Sequence, residues 1–426
     1  VYHQIPADHH LSLFAQDELH WVAGPHQFVL SAGLRSMQLL HLASAYKMSG
    51  TVYVDPRFNV QWRLPQIAIG KHALVIDLNG GWGRQTKTPT LLQIYPDKIY
   101  TDLVELNYYH LQEAYRRLYL QTYVINPVNY RLAPARNDKW EVRLGASFDG
   151  HHFSLTYFRE ALNSGFRTST TVRPFSYKDY DESFIDGNHL TEKPDVSMLP
   201  YEEKTRLGLY GSSTNGSRLV KEGIEYQFST KRYDAIKTRF TLNGAWFKTT
   251  YANSEPMYRS VTTAVVDGTP VNDIYMGYYD SSEGYVREQL NTNLMADTYL
   301  PRLGLAFSVT AECTWYYSSQ SMRENGVPIA YMSTDGNVYP YGEDDKTDIY
   351  RQWLVQKYNE SAYVKQKVPF WAFLNVKVTK DFGRHMKLAL FINRMLDYMP
   401  DYTSASGLKV RRTSKPYFGM EMNIKI

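Results

Sequence analysis

The side chains best suited to gripping a solute lie between the regular stretches of this chain. Tyr108, Tyr109, Tyr115, Tyr119, Tyr275, Tyr278, Tyr279, Tyr339 and Tyr341 stand in long irregular segments, among 36 tyrosines in 426 residues. A tyrosine ring is a rigid amphipathic plate that binds flat organic faces and sugars. The same rings also serve loops that only pack on one another. A second group is ionic: Arg57, Arg63, Asp77, Glu141, Arg143, Glu225, Arg239, Glu312, Lys377, Glu421 and Lys425 recur at alternate positions within apolar stretches. Charges held in such places need partners, either one another or a second body beside them. Asp335, Glu343, Asp344, Asp345 and Asp348 form a carboxylate run that could hold Ca²⁺ but lacks EF-hand spacing, so it reads first as a solvated loop. His151-His152 reads as an exposed turn rather than a metal site. The one cysteine, Cys313, excludes an internal disulfide and a cysteine zinc site, and its apolar neighbours mark it as unreactive. No Ser/His/Asp set recurs on one face, so neither a catalytic role nor a cofactor or metal is assigned.

The ionic residues are positioned by strands. From Pro416 the chain alternates at period two, with Phe418, Met420, Met422, Ile424 and Ile426 on one face and Gly419, Glu421, Asn423 and Lys425 on the other. The pattern recurs. Phe58, Val60 and Trp62 alternate with Arg57, Asn59, Gln61 and Arg63; Trp140, Val142 and Leu144 alternate with Glu141 and Arg143. Leu374, Val376 and Val378 alternate with Asn375, Lys377 and Thr379. Such strands either lay their apolar face on a core or turn it outward to lipid around a wet lumen.

The connections favour the second reading. Tight ones are expected near 23–26, 65–71, 149–151, 230–234, 300–303 and 381–385, with Asp149-Gly150 a two-residue hairpin signal. Long irregular segments are expected at 39–52, 85–136, 163–215, 251–284, 320–366 and 396–415, with a helical candidate at 103–120. Short turns on one side and long loops on the other suit a transmembrane barrel. Phe148, Phe153, Phe228, Tyr233, Tyr299 and Phe382 cluster at the short-turn ends, as an interfacial girdle requires. No run of about 18 apolar residues exists, so no membrane-spanning helix is expected. The net charge of +4, without a basic cluster, gives no case for nucleic acid. The tally is about thirteen strands, the first at 10–22 and the last at 416–426. An odd tally leaves the first and last strands running the same way, so antiparallel closure needs an odd number of further strands. Together with the lack of a signal peptide, this gives the expectation that residues 1–426 are the C-terminal part of a longer barrel.

Several stretches resemble the barrel of TonB-dependent outer-membrane receptors, in particular those of Bacteroidetes-type bacteria. They are YVDPRFNVQWRLP (53–65), GGWGRQTKTPTLLQIYP (80–96), NYRLAPARNDKWEVRLGASFDGHHFSLTYF (129–158), KEGIEYQFSTKR, FTLNGAWFKT and LPRLGLAFSVTAECTW. Two departures stand out: Ala135 where the family has Glu, and a final Ile426 where outer-membrane barrels often end in Phe or Trp.

The resemblance implies an all-β transmembrane barrel of about 22 strands, its lumen filled by an N-terminal plug domain. It implies import of a scarce nutrient across the outer membrane of a Gram-negative bacterium, energised through TonB. The partners expected are TonB by way of a region outside this sequence, outer-membrane lipids including lipopolysaccharide, a small nutrient ligand and a surface lipoprotein. In that frame Arg57, Arg63, Glu141, Arg143, Glu225, Arg239, Glu312, Lys377 and Glu421 face the plug, and Tyr108, Tyr109, Tyr275, Tyr278, Tyr279, Tyr339 and Tyr341 meet the ligand. The alternative is a barrel of the same type acting as a structural or assembly component of a larger outer-membrane complex.

Overall fold

A computed structural model describes residues 7–260, 262–280, 283–383 and 385–425. Thirteen strands form one antiparallel wall in chain order: β1 (His9–Ala23), β2 (His26–Leu40), β3 (Val52–Arg63), β4 (His72–Lys87), β5 (Ala135–Phe148), β6 (His151–Tyr180) and β7 (Tyr201–Ser229), then β8 (Thr238–Asn253), β9 (Gly284–Leu300), β10 (Leu305–Ser321), β11 (Trp371–Phe382), β12 (Met386–Tyr398) and β13 (Tyr417–Ile424). The expected strand count holds. Ile426 lies outside the described residues. Strand β1 pairs with β2 and β13 with β12, so these two are the edges of the wall, and they run in the same direction.

The registers align the period-two pattern from strand to strand. Leu19, Leu30, Val60, Gly80, Val142, Tyr157, Ile224, Trp246 and Leu290 sit side by side across nine strands as one apolar row. One residue over, Gln61, Asn79, Arg143, Thr156, Glu225, Ala245 and Asn291 make a polar row on the other face. The polar face is concave. His10 on β1 and Tyr251 on β8 line the same cavity. In a flat sheet seven strand spacings would hold them roughly 34 Å apart. The apolar face is therefore the convex, outer one, and its side chains remain exposed: Val60, Val142, Leu390, Met420 and Ile424 among them.

The short turns use left-handed backbone where the sequence signals it. Asp149 and Gly150 have φ of 48° and 76°, the pair of positive values that a type I′ hairpin needs. At that end Phe148, Phe153, Phe228 and Phe382 belong to the outward set, while Tyr299 alternates inward and Tyr233 sits in the turn. Outward rings at this rim also stack across strands, Trp21 on Phe28 at 5.0 Å and Phe28 on Trp62 at 5.9 Å.

Two expectations fail at the opposite end. Segment 163–215 is not an irregular loop. Strands β6 and β7 run 30 and 29 residues, where about 9–11 suffice to cross a bilayer, and only 181–200 is loop. Their Ser, Thr and Gly content hid the strand, because it alternates small and polar residues instead of large apolar ones. Segment 103–120 is not a helix either. Ile99–Tyr108 and Arg117–Ile125 pair as a hairpin, rich in the β-branched and aromatic residues that suit strands.

The projecting hairpin of β6 and β7 is the core of the loop layer. On one of its faces Phe175 packs with Leu103 and Ile125 of the 99–125 hairpin, and with Tyr123, Tyr177 and Tyr210. On the other, Val172 and Leu207 pack with Met276, Tyr258 and Met332 of a small sheet made of Met257–Arg259, Tyr275–Tyr279, Ala330–Ser333 and Val338–Pro340. Phe175 fits because Gly208 lies beneath it; a Cβ there would stand 2.6 Å from the ring. A separate cluster, Leu39, Tyr46, Met48 and Ile94, ties loop 41–51 to the segment after β4.

Candidate functional site

The concave face and its mouth under the loops form a recess that faces the axis of the wall. A cavity of about 810 Å³ lies there. Its walls include Arg35 and Met37 from β2, Gln85 and Lys87 from β4, Glu160 and Leu162 from β6, Lys221 from β7 and Tyr251 from β8. These positions share the inner face because each lies an even number of residues from an inner residue of its own strand. Asp55 on β3 stands opposite Arg35 in the register. It is 3 % exposed, and its carboxylate accepts the Thr86 N–H at 2.9 Å and the Thr86 hydroxyl at 2.6 Å. Asp55→Ala leaves both donors unpaired in a buried place. It should cost about 1–3 kcal/mol, measured by urea unfolding, and a neutral result would show that water replaces the carboxylate.

The ionic residues singled out from sequence that lie in the described strands fall on this inner face, and Lys425 follows the end of β13. Several pair with one another along the wall. Lys139 reaches Glu141 at 3.0 Å and Glu160 at 3.8 Å, Lys377 meets Glu421 at 3.3 Å, and Asn375 donates to Glu312 at 2.8 Å. Arg63 stands opposite Asp77 and Arg239 opposite Asp297 in the register, and Asn79 donates to Asp77 at 2.6 Å. Arg57 lies opposite Gly33 and Gly83, and Arg143 opposite Asn79 and Thr156.

Phe158 breaks the inner pattern. It is buried on the polar side, with the Lys139 and Lys221 ammonium groups each 5.7 Å from its ring centre. Gly223, directly opposite, makes room for it, since a Cβ would stand 3.0 Å from the ring. Gly223→Val should therefore displace Phe158 and loosen Lys221. Intrinsic labelling rates of Lys221 with an amine-reactive reagent read this, and unchanged rates would show that the ring is not held by the glycine.

The tyrosines do not converge on one site. Tyr279 is 2 % exposed and donates to the Leu354 carbonyl, so it is a core residue of the loop layer. Tyr275 packs edge-on against Tyr331 at 5.5 Å, Tyr278 lies 4.6 Å from Tyr258, and Tyr339 stacks on Tyr331 at 5.7 Å. Tyr341 donates to the Arg351 carbonyl at 3.3 Å. These five hold the loop layer together, because loops without enough aliphatic residues build their cores from rings. Tyr108, Tyr109, Tyr115 and Tyr119 sit apart at the distal tip. There Tyr108 stacks on His110 at 6.3 Å and Arg116 covers Tyr109 at 4.5 Å, with Tyr109 itself exposed.

The acidic run is tied up internally. Asp345 meets Arg351 at 2.5 Å, Asp348 meets it at 3.3 Å, and the Asp335 carboxylate accepts from Tyr339 at 2.5 Å. That bond, with the Asn337 amide, holds Asp335 below the usual carboxylate range. His151 stacks on Phe228 at 6.1 Å and His152 bonds Ser147 at 2.9 Å. Among the described residues no group of three or more His, Cys, Asp or Glu converges.

Burial in the loop layer pushes Tyr46 and Tyr358 up to about 12, and Tyr279 higher still. A raised value means that the folded state favours the neutral phenol. That contribution is complete below the ordinary value of 10.0 and fades as pH climbs toward about 12. In a spectrophotometric titration these phenols should ionise last, in step with loss of loop protection from protease. Ionisation of every tyrosine near pH 10 would contradict the packing.

No family model and no curated protein matches the sequence. Among solved structures the chain is similar to the crystal structure of the siderophore receptor PirA from Acinetobacter baumannii, at 10% sequence identity and a TM-score of 0.41, over 91% of this chain and 50% of that one. The chain thus spans about half the length of that receptor.

Proposed function

We propose that this chain is the wall and outer loop layer of a TonB-dependent outer-membrane receptor that imports a small nutrient. The observation that carries the reading is the continuous apolar row on the convex face, set back to back with a polar, charged concave face. Water on both sides would leave that row unexplained, whereas lipid outside and water inside account for both faces. The polarity of the connections agrees, with tight turns at one end and a packed loop layer at the other. Backbone groups at an open sheet edge have no partner in lipid, so further antiparallel strands, odd in number, close β1 onto β13. In that arrangement Arg57, Arg63, Arg143 and Arg239 face a plug within the lumen. The experiment is fractionation of cells expressing the protein, followed by uptake of candidate nutrients with and without TonB. Recovery in the outer membrane with TonB-dependent uptake supports the reading; recovery in a soluble fraction overturns it.

A further inference from the structure

We propose that the mouth of the concave face binds a small solute bearing oxyanions, carboxylate or phosphate; this rests on the receptor reading above and names the class of its ligand. Three cations from three strands, Arg35, Lys87 and Lys221, line the cavity of about 810 Å³. Among the described residues none of the three has a carboxylate within the 4.0 Å of an ion pair. The acids opposite two of them in the register have other partners. Asp55, opposite Arg35 in the register, has both oxygens on Thr86. Glu160, opposite Lys221, is within 3.8 Å of Lys139. Elsewhere on the same face the arrangement differs, since Lys139, level with Lys221 across Glu160, and Lys377 each have a carboxylate at hand.

Lys221 is not left loose by the lack of an acid. Its ammonium lies 5.7 Å from both the Phe158 and Phe247 ring centres, an aromatic cradle that orients a cation while leaving its charge unneutralised. Like charges gathered in a recess repel one another, and an entering anion relieves that repulsion. A cleft whose cations outnumber its one lining carboxylate, Glu160, also raises the local concentration of anions and speeds their arrival. The neutral lining suits the same ligand, because Gln85, Thr88 and Asn137 supply amide and hydroxyl donors beside the cations. An aromatic wall element, Tyr251, neighbours Lys221 on the adjoining strand.

The test is equilibrium dialysis of the full chain in phosphatidylcholine nanodiscs, with citrate, inorganic phosphate, maltotriose and spermidine as probes. Citrate or phosphate should bind, more tightly at low salt, and maltotriose and spermidine should not. The variant Arg35→Gln/Lys87→Gln/Lys221→Gln should lose at least tenfold in affinity. Lys98→Gln/Lys193→Gln/Lys357→Gln, the same change of charge outside the cavity, should keep it, which separates a local site from a general loss of positive charge. Binding of neither anion, equal binding of maltotriose, or an unchanged affinity in the cavity variant would overturn the inference. So would loss of phosphate binding when phosphatidylglycerol replaces phosphatidylcholine, because the anion held would then be a lipid headgroup. Cell fractionation answers separately for the receptor reading: a soluble protein sinks that reading, and an outer-membrane protein with an anion-blind cavity sinks only this inference.

Discussion

Val142→Arg should destabilise the wall by about 2–4 kcal/mol, the cost of an arginine facing lipid near the bilayer midplane. Val142 belongs to the convex apolar row, between Gly80 and Tyr157, and it is exposed. Its depth follows from its distance to the short-turn rim. Six residues separate it from Phe148, and at about 3.3 Å per residue with a tilt near 40° this is roughly 15 Å, half of a hydrocarbon core. Leu390→Arg on β12 lies in the same belt, between Val378 and Met420, and should behave alike. The control is Thr156→Arg on the concave face, between Arg143 and Glu225, where a hydrated lumen makes the change cheap. Urea unfolding in lipid vesicles, followed by tryptophan fluorescence, measures all three. Should Val142→Arg and Thr156→Arg cost the same few tenths, the convex face meets water and the membrane reading collapses.

The second large effect is expected in the loops. Phe175→Ala should cost about 3–5 kcal/mol of loop-layer stability, the usual range for deleting a buried phenylalanine. Phe175 is 2 % exposed and is the residue through which the 99–125 hairpin holds to β6. Further ties are the Tyr119–Tyr180 ring contact at 6.2 Å and two hydrogen bonds: Tyr123 donates to the Ser176 carbonyl at 2.6 Å and Glu105 accepts the Lys178 N–H at 2.8 Å. With the ring gone, amide exchange should rise across residues 99–125 and stay unchanged in β8 to β11. Gly208→Val reaches the same end from the other side, since its side chain would occupy the space of the ring. If exchange rises over the whole wall instead, the loop layer and wall are one cooperative unit and the layered description is wrong.

The wall was legible from sequence because its code is local. Period-two alternation in 58–64, 140–148 and 374–378 names strand, face and polarity at once, and the Asp149-Gly150 turn names a hairpin. The outer loops were not, for two physical reasons. Strands β6 and β7 leave the wall at about residue 163, and there the demand for large apolar outward residues ends. Their partner surface is another loop, so the pattern follows contacts that only the fold reveals. The tyrosines show the same limit: Tyr279 and Tyr109 are indistinguishable by type and setting, yet one is core and the other is exposed at the tip. The cavity cations were missed because Arg35, Lys87 and Lys221 sit on strands far apart in sequence. No spacing rule gathers them; only the curl of the wall does.

The register shifts between β6 and β7 have a mechanical meaning. They fall at Thr214, Ser217 and Leu219, where the paired strands pass from wall to projection. Above them the ladder continues without interruption from Arg167–Thr214 to Tyr180–Tyr201. Thirteen residues at about 3.3 Å each make a rod of roughly 43 Å. Bulges are where a ladder bends, so the rod is stiff and its foot is compliant. A turn of about 5° at the foot would sweep the tip by roughly 4 Å. The foot is also where Asn215 holds Ala133 and Ser164, beside the cavity. A solute that shifts the foot slightly would therefore be displayed, amplified, at the far tip of the hairpin. Spin labels at the tip and on β8 would read the displacement as a change in distance.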